Sequence, residues 1–111
     1  MNLQFLLSAA ALVSVAAAAS AATAEICIEN GTDAAYFFTA QNGAGQRARA
    51  TLAHGARLCL SETPDHPGGT VAAFGAADQL EGCSRLVGPG GSDTLLDYVD
   101  FDRCRWTSNS G

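Results

Sequence analysis

The chain has 111 residues, a net charge of −5 and four cysteines. Residues 1–24 carry no charged side chain and read as a leader, which leaves 25–111 for one small domain. That length excludes a multidomain enzyme, a doubly wound nucleotide-binding fold and an α/β barrel, and the acidic balance argues against nucleic acid or an anionic membrane as the main partner.

The leader runs from Phe5, Leu6 and Leu7 through Leu12, Val13 and Val15 into an alanine-rich stretch. Ala22-Thr23-Ala24 then places small residues where a signal peptidase needs them, just before Glu25. The start of the leader lacks Lys and Arg, so a retained anchor is the alternative. Its second half is mostly Ala, Ser and Thr, and no basic stop-transfer segment follows, which favours cleavage. The expected organisation is a signal peptide over 1–24, one β domain over 25–106 and a disordered tail over 107–111. No membrane association is expected after cleavage.

All four cysteines, Cys27, Cys59, Cys83 and Cys104, follow the leader. An even count in a short exported chain predicts two disulfides. No Cys-x-x-Cys pair is present to seat zinc or haem. Six arginines and no lysine, in a chain rich in Ala and Gly, point to a GC-rich genome, hence a bacterium and a periplasmic or secreted protein.

Glycine turns punctuate the domain, and short runs with strand character lie between them: 25–30, 34–40, 46–52, 57–61, 70–75, 83–87 and 94–106. Asn30-Gly31-Thr32 is formally a glycosylation site, but reads better as a turn at positive φ. Residues 76–82 suit a helical turn stopped by Gly82. Segment 92–99 fits either a short helix capped by Ser92 or a strand, with strand favoured over 97–101. The expected fold is all-β, a small disulfide-stapled antiparallel β-sandwich or barrel of about 6–8 short strands. Ile26 and Ile28 share one strand face and leave Cys27 on the other; Leu58 and Leu60 do the same to Cys59. If those strands are neighbours, Cys27–Cys59 is the natural bridge, leaving Cys83–Cys104.

Few residues suggest chemistry. His54 and His66, with Asp65 or Glu62, could bind copper or zinc, although metal sites want three or four converging ligands. Ser61, Ser84 and Ser92 sit in no Gly-x-Ser-x-Gly elbow, so no catalytic residue, enzyme activity or cofactor is expected. Asp93, Asp97, Asp100 and Asp102 form an acidic run: a solvated face, a calcium site or a patch for a basic protein. Net charge is −3 over 25–33, +3 over 34–61 and −5 over 62–111. Arg47 and Arg49 share a strand face and could grip a carboxylate or sulfated glycan, or lie beside the acidic C-terminal segment. Trp106 reads as core over the Cys83–Cys104 bridge, or as an exposed anchor.

The leading expectation is an exported non-enzymatic β-domain that binds a macromolecular partner. Its most concrete form is an acidic binder or inhibitor of a basic cell-envelope protein through Asp97, Asp100 and Asp102. The alternatives are a small-ligand or glycan binder through Arg47 and Arg49, and a metal-handling protein through His54 and His66.

Overall fold

The computed structural model describes residues 24–109, so the predicted leader lies outside the described residues except for Ala24, and the tail beyond 109 does too. Eight strands follow one another: β1 Glu25–Asn30, β2 Tyr36–Asn42, β3 Arg47–Leu52, β4 Arg57–Ser61, β5 Gly69–Phe74, β6 Gly82–Val87, β7 Ser92–Asp97 and β8 Arg105–Trp106. They form a β-sandwich of two four-stranded sheets, ordered β4-β1-β7-β8 and β3-β2-β5-β6.

Period-two alternation decides which side chains meet between the sheets. Ile26 and Ile28 of β1, Phe38 and Ala40 of β2, Val71 and Ala73 of β5, and Leu95 of β7 are buried there with Trp106. The alternate residues of β2, β3, β5 and β6 form the outer face of the second sheet. Across it run Arg47, Gln41, Thr70 and Leu86, then Arg49, Thr39, Ala72 and Ser84, then Thr51, Phe37, Phe74 and Gly82.

Both expected disulfides form. Cys27 and Cys59 are directly opposed partners on β1 and β4, with Cα atoms 4.1 Å apart. Cys83 of β6 is bonded to Cys104, just before β8, with Cα atoms 6.0 Å apart. The second bridge therefore fastens one sheet to the other.

Several local expectations need correction. The sheets are not wholly antiparallel, because β1 and β7 pair in parallel. Most of the domain separates these strands, so no hairpin dictates their relative direction. The run 94–106 is broken. β7 ends at Asp97, residues 98–104 are irregular and β8 has only two residues. The strand expected over 97–101 is incompatible with φ of 65° at Phe101 and 56° at Asp102, both left-handed. The short helix over 92–99 is absent as well, since Ser92–Asp97 is strand.

Residues 76–82 contain one turn, closed by Gln79 N–H to Ala76 O at 3.1 Å. Gly82 does not stop a helix; it opens β6, where a Cβ would come within 2.2 Å of Ala73 O. The disorder expected from residue 107 is corrected over Thr107–Asn109, a 3-10 turn held by Ser108 on Asp93. Asn30-Gly31 does turn the chain, but without positive φ. Glycine is required there for space, since a Cβ would meet Leu95 O at 2.8 Å.

Candidate functional site

Buried polar side chains of this fold are spent on closing loops. Asn30 Nδ2 donates to Ala34 O and Leu52 O, both at 2.8 Å, and its Oδ1 accepts from Thr32 N–H and Oγ1–H. This Asx turn leaves the glycosylation sequence inaccessible, as Asn30 is fully buried. Asn42 closes the β2–β3 hairpin in the same way, accepting from Ala44 N–H and Gln46 N–H. Glu62 accepts from Gly68 N–H at 2.8 Å and from Gly90 N–H, tying two glycine loops together.

The residues predicted for metal binding are not assembled. His54 Nδ1 lies 2.7 Å from Thr32 O, whereas His66 sits in the turn it closes with Thr63. Glu62 is already engaged. Among the described residues the one cluster of three potential ligands is Glu25, Cys27 and Cys59, and both of its thiols are in the disulfide.

The acidic run is split. Asp93 pairs with Ile28 in register, so it faces inward, where Ser108 and the backbone N–H of Thr94 bond to it. Arg85 Nε lies 3.8 Å from its Oδ2 and crosses from one sheet to the other. Asp97, Asp100 and Asp102 stay exposed. Trp106 is 1% exposed and belongs to the core, which rules it out as a surface anchor.

Arg47 and Arg49 do share an exposed face of β3. Arg47 gives Nε–H and an Nη2–H to Gln41 Oε1, at 3.1 and 2.5 Å. β3 and β6 are opposite edges of their sheet, so these arginines do not lie beside the acidic segment that packs along β6.

What that segment does flank is apolar. Among the described residues the exposed large hydrophobic side chains are Leu80 at 96%, Leu86 at 85% and Phe101 at 69%. Leu80 and Phe101 stand on either side of an open groove of about 530 Å³ floored by Ala72, Phe74, Gly82 and Ser84. Phe37 extends the floor, its ring 6.3 Å from that of Phe74. A second hollow of about 320 Å³, between Thr70, Ser84, Arg85 and Leu86, continues along the same strand through Ser84.

The groove is rimmed by charge and fixed by the irregular segment. Glu81 and Asp102 line it, Asp78 and Asp100 lie on the same two loops with Arg103, and Asp97 and Arg105 flank the second loop at the ends of β7 and β8. Asp102 Oδ1 accepts Ser84 N–H at 3.0 Å, and the Cys83–Cys104 bridge anchors the loop two residues further on. At the base of the loop, Tyr98 stacks on Tyr36 at 4.7 Å. Burial, then the charge of Asp100, raises the ionisation of its phenol above the ordinary 10.0.

Sequence reasoning missed this groove. Leu80 was placed in a helical turn and Phe101 in a strand, where each would count as core. The available signal was Leu86. With Cys83 inside the sandwich, alternation sends Leu86 outward and Arg85 inward.

Fold and groove together define a small disulfide-stapled β-sandwich. Comparison with protein-family models, with curated proteins and with solved structures finds no match. Two disulfides are compatible with an extracellular location. Among the described residues no helix is long and apolar enough to cross a membrane.

Proposed function

We propose that this is an exported, non-catalytic protein-binding domain of the periplasm or the secreted fraction, released from a signal peptide over 1–24. It captures a basic partner carrying apolar side chains through the groove between Leu80 and Phe101. The observation that carries this reading is Phe101. A bulky residue in the left-handed region costs on the order of 1–2 kcal/mol, and this one is also left in solvent. Such a conformation persists only where surrounding structure enforces it, and it collects at binding sites.

The acidic loops favour a basic partner, since complementary charge steers encounter and rejects acidic competitors.

The test is a photo-crosslinking residue placed at Leu80 of the exported protein, with exposed Arg57 as the control position. The expected result is one dominant adduct at Leu80, weakened by salt and lost in Phe101→Ser. Equal labelling at both positions, or labelling unchanged by salt and by Phe101→Ser, overturns the reading.

A further inference from the structure

We infer that the partner docks as an extended strand added to the open edge of β6, with alternate side chains entering the two hollows. This rests on the groove reading above and specifies the form the ligand takes. β6 ends the order β3-β2-β5-β6, so among the described residues one of its sides has no neighbouring strand. That side already shows what it binds. Ser84 N–H points away from β5, and the acceptor it meets, Asp102 Oδ1 at 3.0 Å, stands where the carbonyl of a next strand would stand.

The pairing of β6 with β5 is regular from Gly82 to Val87. The residue two beyond Ser84 therefore faces the same way, and Leu86 offers its N–H and C=O outward beneath an exposed side chain. Of β6, the groove takes Gly82 to Ser84 and the smaller hollow Ser84 to Leu86, an offset of two residues. Two residues along a strand is about 6.6–6.8 Å, the spacing of side chains i and i+2 on an extended peptide. Backbone pairing gives such complexes affinity, and hollows for alternate side chains give them selectivity.

Asp102 sets the register. It occupies the outward N–H of Ser84, so backbone pairing is confined to Leu86 and the segment runs on past the carboxylate into the groove, where Glu81 and Asp102 favour a Lys or Arg. The predicted ligand is a short extended segment of a protein, with apolar residues two apart and a basic residue at the end nearest Asp102.

The probe is a synthetic peptide of alternating Val and Thr with Lys at each end, titrated into the oxidised, exported protein. Its partner probe carries N-methyl groups on the amides that would face β6. The expected results are slowed hydrogen exchange at the Leu86 amide and a loss of about tenfold or more in affinity on N-methylation. Leu86→Pro removes the outward N–H without touching the β5 pairing and is expected to cost a similar factor. Phe101→Ser weakens both readings' complexes. If Phe101→Ser abolishes binding while N-methylation and Leu86→Pro leave it intact, strand addition is overturned and the groove reading stands. If the peptide does not bind, or binds with Leu86 exchange unchanged, strand addition is overturned outright. The methylated peptide keeps the test decisive should Leu86→Pro misfold.

Discussion

The corner at Asn30 and the corner at Phe101 solve the same problem in opposite ways. Each follows an inner strand of the first sheet and must turn the chain at the end of the sandwich. At Asn30 one buried amide satisfies two carbonyls and accepts from Thr32, and His54 adds a contact to the same turn. At Phe101 the chain takes two consecutive left-handed residues and leaves an aromatic ring in water. The first corner gains stability from every group it contains. The second gives stability up, and the disulfide at Cys104 and the Asp102–Ser84 bond keep it from relaxing. The second corner, which stores strain and exposes apolar surface, is the one we propose for binding.

The comparison can be broken by experiment. Reducing both disulfides is the largest perturbation: a domain this small is marginal without them, and each closed loop contributes about 2–4 kcal/mol. The reduced protein is expected to be unfolded at physiological temperature, and a thermal melt unchanged by reductant contradicts that. Next, Asn30→Ala removes the side-chain partners of the Leu52 carbonyl and the Thr32 N–H, leaving Ala34 O to Thr32 Oγ1, and should cost about 2–4 kcal/mol in urea unfolding. A loss below about 0.5 kcal/mol would mean that water replaces the amide and the corner is not closed.

Phe101→Gly sharpens the contrast, because the two properties should move in opposite directions. Relief of the left-handed strain outweighs glycine's added chain entropy, so stability rises by about 0.5–1 kcal/mol while crosslinking at Leu80 falls. Loss of both stability and binding would make Phe101 an ordinary packing residue.

The smallest effect concerns Tyr98. Its ionisation is raised in the folded state, so the fold favours the neutral phenol. That contribution is complete below the ordinary value of 10.0 and is lost as pH climbs through the folded value. Tyr98→Phe should therefore flatten the alkaline limb of the stability curve, followed by denaturant midpoints. An alkaline limb identical to that of the wild type removes Tyr98 from the account.

Much of the frame was legible because it follows from alternation. Ile26, Cys27 and Ile28, set beside Leu58, Cys59 and Leu60, placed both sulfurs on one sheet face, and the bridge forms there. The parallel pairing of β1 with β7 was not legible, because no local signal encodes the direction of strands separated by most of the domain's sequence. The acidic run misled through its regular appearance. Asp93 belongs to the inner face of β7, while Asp100 and Asp102 belong to no strand. Phe101 was hidden for the same reason, since a period of two counts it among extended residues and says nothing of φ. Arg47 and Arg49 were placed on one strand face correctly, but the distance from them to the acidic loops depends on sheet order, which alternation does not fix.

The Asn30 corner also bears on how long the molecule lasts. An Asn-Gly sequence ages by attack of the glycine nitrogen on the asparagine side-chain carbonyl, which closes a succinimide and releases ammonia. Here the Gly31 nitrogen is held 2.8 Å from Leu95 O by its own hydrogen, while the side-chain carbonyl of Asn30 is bound by Thr32. The nucleophile and its target are fixed on different partners. The hydrogen bonds that stabilise this turn therefore also slow isoaspartate formation, so the folded domain is protected at one of its two Asn-Gly sequences, the other being Asn42-Gly43.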